Sequence, residues 1–217
     1  MSTLNRIAYY LDRRDEVPNQ ELAREMAAAQ DNAGIGEIAA HLRDKNKSVA
    51  SDCIKVLYEI GYINPGLIQG YAGDFLDLLH SRENRMVWGG MIALAAIASL
   101  QAPAIWPRVD EIIAAVDHGS LITVVWGVKA LARVAAASGE YRQRIFPILL
   151  QILRACIPRD VPMHAESILP ALDDANRQQF LDALASRHGE LSPSQAAKVR
   201  RVVKKVQAAN TQANARG

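Results

Sequence analysis

The sequence predicts an all-α chain, an α-α superhelix (solenoid) of about five helical hairpins with a period of 37 residues. Three observations carry that expectation. Segments beginning at Val49, Met86 and Thr123 superpose at an offset of 37 without a gap. A second set of apolar columns repeats at the same offset between them. Gly and Pro fall where one helix would have to give way to the next.

The first columns read Cys53, Gly90, Gly127; Val56, Ala93, Ala130; Leu57, Leu94, Leu131; and Ile60, Ile97, Val134, the last two extending to Ile168 and Ala171. Positions i, i+3, i+4 and i+7 form one face of an α-helix, here called helix A of each hairpin. Glycine inside a helix costs about 1 kcal/mol relative to alanine, so Gly90 and Gly127 at one repeat position imply close helix packing. The columns of helix B read Ile38, Phe75, Ile112, Leu149; Ala39, Leu76, Ile113, Leu150; and Leu42, Leu79, Val116, Leu153.

In chain order, a short helix near Leu4 to Leu11 is expected to cap the array, followed by helices near Asn19 to Gln30 and from about Ile35. Asp44-Lys45-Asn46, Gly61 with Asn64-Pro65-Gly66, Pro103 with Pro107, and Gly139 supply the turns. Pro162 and Pro170 make the fourth A helix irregular. Ser192, Pro193 and Gln195 are the N-cap, first helical residue and capping-box partner of a last helix, with Val199, Val202, Val203 and Val206 as its apolar stripe. The expected organisation is an array over residues 1–190, then a basic capping helix and disordered tail over residues 191–217.

This alternation of apolar, small, Ala-Leu and aliphatic positions resembles the HEAT/armadillo repeat family, over roughly residues 19–190 and most strongly over 49–154. The family often carries arginine beside the first apolar residue of helix A, where this chain has Ala50, Val87 and Val124. A charge ladder from that arginine is therefore not carried over.

The 217 residues carry a net charge of +2 and are half hydrophobic. The charge is uneven. Residues 191–217 hold six basic residues, Arg216 among them, and no acid, which leaves 19 basic against 23 acidic residues in 1–190. The N-terminal stretch is charged where a secretory leader needs an apolar core. The apolar run Val87 to Leu100 is short of the roughly 20 residues of a bilayer span. Cys53 and Cys156 are far apart and form no CxxC. A soluble, cytoplasmic protein without a membrane partner is expected.

No catalytic residue, cofactor site or metal site is expected. His41, His80, His118, His164 and His188 share no HxxxH or HxH spacing, and the repeat slots of the first three differ. The resemblance brings iron-binding repeat enzymes to mind, but their His-Glu pairs are absent. Repeat-built alkylpurine DNA glycosylases use tryptophans with a carboxylate. One turn beyond Trp88 stand Met91 and Ile92, and beyond Trp126 stand Lys129 and Ala130, so the tryptophans are expected to pack between A helices. Walker, GxGxxG and GxSxG patterns are missing.

The resemblance implies that B helices line the concave side. Residues between the buried B columns should then face a partner: Asp74 and Glu111; Asp77, Ala114 and Gln151; His80, Asp117 and Arg154. The expected function is a non-enzymatic protein-binding scaffold or adaptor that takes a helix or extended segment of another protein on this surface. The alternative is a nucleic-acid-binding or DNA-repair-like repeat protein using Lys198, Arg201 and Lys205 on the C-terminal helix.

Overall fold

The computed structural model describes residues 2–214, and the side chains up to Ala208; Arg216 and the end of the tail lie outside the described residues. Every regular element among the described residues is helical. The chain divides into two compact units, the first ending at Ala130 and the second beginning at Leu131.

In the first unit, α1 (Val17–Ala29), α2 (Asn32–Ala40), α3 (Lys47–Ile63), α4 (Ala72–Leu78), α5 (Asn84–Ile105) and α6 (Val109–His118) precede α7 (Leu121–Ala135), which carries the chain across the division. The A-type helices α3, α5 and α7 begin at residues 47, 84 and 121, in steps of 37. Helix α3 packs against α1, α2 and α5, and α4 packs against α5. Side-chain oxygens of Asp31 and Asn46 accept from backbone N–H groups of Gly34 and Ser48, which caps α2 and α3.

The apolar columns are the core. Cys53, Val56, Leu57, Ile60, Ala93, Leu94, Ile97 and Ala130 are fully buried, as are Ile38, Phe75 and Ile112 of the B helices. The small column has the physical purpose its sequence suggested. A Cβ at Gly90 would lie 2.9 Å from both Leu78 Cβ and the Phe75 carbonyl oxygen, and one at Gly127 would lie 2.1 Å from Val116 Cγ2. Close contact with the preceding B helix is what the missing side chains permit.

Three local features differ from the sequence expectation. Residues 4–11 form two short 3-10 turns, Leu4–Arg6 and Ala8–Leu11, in place of a capping helix. Side chains of later helices take their backbone donors: Thr3 N–H donates to Glu37, Ala8 N–H to Asn19 and Tyr9 N–H to Asp52, each at 2.8–2.9 Å. Those bonds compete with the helical pattern, and Asp12 in the left-handed region (φ 53°) closes the second turn. Gly61 is inside α3, where a Cβ would lie 2.8 Å from Ile68 Cδ1, and the turn follows at Asn64. Pro103 lies within α5 just past a break at Gln101 (φ −123°, ψ 24°), as a ring without an N–H requires.

The stretch Asn84–His118 is apolar and long enough to cross a membrane by composition, and 61% of its most apolar window is buried inside the fold. Its hydrophobicity is that of a core helix with neighbours on several sides.

The second unit holds α8 (Gly139–Ala155), α9 (Val161–Ile168), α10 (Arg177–Ser186) and α11 (Pro193–Asn214). Helix α11 packs on α9 and α10 through Val199, Val202 and Val206. Its capping box forms as the sequence suggests: Ser192 N–H donates to Gln195 Oε1 (2.8 Å) and Gln195 N–H to Ser192 Oγ (3.4 Å). Arg187, which the sequence did not single out, is buried between α10 and the end of α8. Its guanidinium donates to the carbonyl oxygens of Leu153 (2.9 Å), Arg154 (2.7 Å) and Cys156 (2.6 Å) and to Glu190 (2.8 Å). The last carbonyls of a helix have no intrahelical donors, and a cation there also meets the negative end of the dipole.

His164 on α9 is 1% exposed, and its Nδ1 has no hydrogen-bond partner among the described residues. Burial holds its pKa below the usual imidazole value, against a weaker opposing influence from Asp160. Above the unfolded value of about 6.5 both states are neutral and the residue is without effect. As pH falls below it, the unfolded chain takes up a proton that the fold resists, so stability is lost, by at most about 1.4 kcal/mol per pH unit. Urea unfolding at pH 7 and pH 5 is expected to show a smaller acid loss in His164→Leu than in the parent chain.

Candidate protein-binding surface

The polar B-helix positions of the first unit come together as a row of charges. Asp74 and Asp77 are three residues apart on α4 and therefore share a face, His80 follows the helix, and Glu111 stands in the first turn of α6. Two arginines complete the row. Arg43, in the turn after α2, donates to Asp77 and lies 3.7 Å from Asp74 Oδ1. Arg108, in the 3-10 turn Trp106–Arg108 before α6, grips Glu111 with two bonds, Nε to Oε1 at 2.6 Å and Nη2 to Oε2 at 2.8 Å. Its Nη2 also reaches Asp77 Oδ1 (2.8 Å), and its Nη1 the Gly73 carbonyl (3.4 Å). His80 Nε2 is 2.7 Å from Glu111 Oε2.

Asp74, Asp77 and Glu111, expected to face a partner, are thus paired with basic side chains of the same unit. The hydrogen bond from Arg108, helped by His80, holds the Glu111 carboxyl below the usual carboxylate range, and the bonds to Glu111 and Asp77 push the Arg108 guanidinium up. Exposure grades the row: the Arg43 side chain is 67% exposed, Arg108 34% and Glu111 25%. Exposed pairs of this kind are each worth only about 0–1 kcal/mol, so they exchange readily with solvent or another chain.

Two hollows border the row. One, of about 970 Å³, runs between the segment 8–16 and the starts of α3 and α5, and is lined by Tyr9, Arg13, Asp44, Ser48, Asp77 and Met86. The other, of about 560 Å³, is lined by Val87, Glu111, Ala114, His118 and Ser120. His80 lines both.

The remaining sequence-derived positions are exposed. Asp117 is strongly exposed at the end of α6, 3.8 Å from His118. Gln151 and Arg154 are exposed residues of α8 in the second unit. On α11, Lys198, Arg201 and Lys205 are all exposed, and Lys205 is paired with Glu166 of α9. Among the described residues, no group of three His, Cys, Asp or Glu side chains is placed to hold a metal ion.

The tryptophans pack between A-type helices. Trp88 lies 6.1 Å from Tyr58, and Trp126 lies 5.6 Å from Tyr62. Lys129 sits 3.8 Å over the Trp126 ring, and Arg85 5.7 Å from that of Trp88. Lys55, 4.9 Å over the Tyr58 ring, is buried between Glu16 (2.7 Å) and Glu59 (2.6 Å). Burial opposes its charge, but the two carboxylates outweigh that and raise its pKa.

Arg43 and Arg108 are the site residues that sequence reasoning missed. Arg43 lies 37 residues before His80, so continuing the column His80, Asp117, Arg154 upstream reaches it. Arg108 precedes Glu111 by three residues, the spacing of a helical ion pair.

No family model matches the chain, and no curated protein matches it. Solved structures do. An engineered protein superposes with a TM-score of 0.67 at 17% identity, over 96% of this chain and 98% of its own. A designed armadillo repeat protein in complex with the peptide (KR)4 gives 0.67 at 15% identity over 85% of both chains. A computationally designed armadillo repeat protein for modular peptide recognition gives 0.65 at 16% identity, again over 85% of both. The chain is therefore an α-helical repeat protein. Its fold is that of the armadillo/HEAT-like solenoids.

Proposed function

We propose that this chain is a non-enzymatic binding scaffold that takes up an extended or helical segment of another protein on the B-helix surface of its first unit. The row Arg43–Asp74/Asp77–Arg108–Glu111–His80, flanked by two hollows, is the observation that supports this reading most. A repeat fold suits it, because successive helices offer similar positions at regular intervals to a linear partner. The similar designed protein that holds the peptide (KR)4 adds support for a basic segment as partner. Exchangeable surface pairs suit reversible binding, in which charge pattern selects the partner and speeds encounter.

Fluorescence anisotropy with a labelled octapeptide of alternating Lys and Arg tests the reading at low ionic strength. Asp77→Lys reverses the charge at the centre of the row and is expected to weaken binding by about tenfold or more. Equal binding to the parent and the variant removes this surface from the proposal.

A further inference from the structure

The three carboxylates of the row are not vacant receptors for a basic side chain. Asp77 is contacted by guanidinium groups from both sides, Arg43 from the turn after α2 and Arg108 from the turn before α6. Glu111 is held in a two-bond fork, and Asp74 has Arg43 within 3.7 Å. Three acids thus stand against two resident guanidiniums, with His80 beside Glu111, and the row is almost neutral before any partner arrives. The cations that neutralise it belong to other elements of the unit, so the substitution of either leaves α4 and its acids in place.

We infer that Arg43 and Arg108 are resident competitors that occupy the positions of a basic partner's side chains and set how readily the surface accepts one. This rests on the proposed binding of a basic segment. A partner arginine or lysine must displace a resident guanidinium, gaining little where it merely replaces one ion pair with another. Arg43 is the more exposed and yields first. Arg108, half-buried and bonded to Asp77, Glu111 and the Gly73 carbonyl, yields last. The surface therefore discriminates against isolated basic residues and favours a segment that brings several at repeat spacing, since several displacements must be made together. Arg43 and Arg108 are specificity-determining residues on this account, though they touch no partner in the bound state.

The test uses the full chain and the same labelled Lys-Arg octapeptide. The double variant Arg43→Gln/Arg108→Gln frees all three carboxylates of their guanidiniums, leaving only His80 beside Glu111, and is expected to bind about tenfold or more tightly than the parent, with a gain that shrinks as salt rises. Arg108→Lys keeps the charge and is expected to show little gain, which separates masking from mere loosening of the turn. Adding Asp77→Asn to the double variant is expected to remove most of the gain. Should Arg108→Gln unfold the chain, Arg43→Gln alone carries the test with a smaller gain in the same direction. If the parent binds through Asp77 and the arginine variants gain nothing, masking is wrong while the binding surface stands. If neither parent nor double variant binds, the surface and the masking both fall.

Discussion

Arg187→Ala is expected to destabilise the chain by about 3–5 kcal/mol, the range for stripping one partner from a buried charged network. The side chain is 6% exposed and supplies donors to three carbonyl oxygens at the end of α8, while Glu190 balances its charge. Alanine strips the guanidinium from all three carbonyls at once, leaving the buried Leu153 oxygen only the Cys156 thiol at 3.5 Å, and a buried acceptor that loses its donor costs about 1–3 kcal/mol. Lysine is not an adequate replacement. It keeps the charge but lacks the planar fork that reaches Leu153, Arg154 and Cys156 together. Urea unfolding followed by circular dichroism measures both variants. A loss below about 0.5 kcal/mol for Arg187→Ala would mean that water replaces the guanidinium without penalty.

Leu94→Ala is expected to cost about 2–5 kcal/mol in the same measurement. Leu94 is fully buried on α5, which packs against α3, α4 and α6, so truncation opens a cavity that three neighbours would have to move to fill. Leu94→Met, which nearly conserves volume, is expected to cost less than about 1.5 kcal/mol. A surface-sized loss for the alanine variant would contradict the core register described by the columns Leu57, Leu94 and Leu131.

Much of the fold was legible because a repeat states each packing rule several times. Leu57, Leu94 and Leu131 share a column, so a helical face visible weakly in one copy is reinforced in the next. The glycines at 90 and 127 were legible for the same reason, since an unfavourable residue recurring in register demands a steric cause. Singular features were not legible. Arg187 looks like an ordinary surface arginine of a C-terminal helix, and only the approach of α8's end makes it a cap. Residues 4–11 carry helix-compatible side chains, yet Glu37, Asn19 and Asp52, scattered along the chain, reclaim their backbone donors. Within the site, Asp74, Asp77, His80 and Glu111 follow from counting between buried columns. That they are already paired does not, because an ion pair between Arg108 and Asp77 depends on where a 3-10 turn after a proline-broken helix delivers one side chain.

The N-terminal turns have a bearing on how the molecule comes apart. In a linear array, helices that lean on few neighbours open before those that lean on many. Here Glu37 of α2, Asn19 of α1 and Asp52 of α3 all hold the same short segment by its backbone, so three helices of that end are stitched to one strap. The strap links the opening of any one of these helices to the others and converts a progressive peeling into a single concerted step. Amide hydrogen exchange would register this as one shared opening free energy across α1, α2 and the start of α3, where an unstrapped end would show a gradient falling toward residue 17.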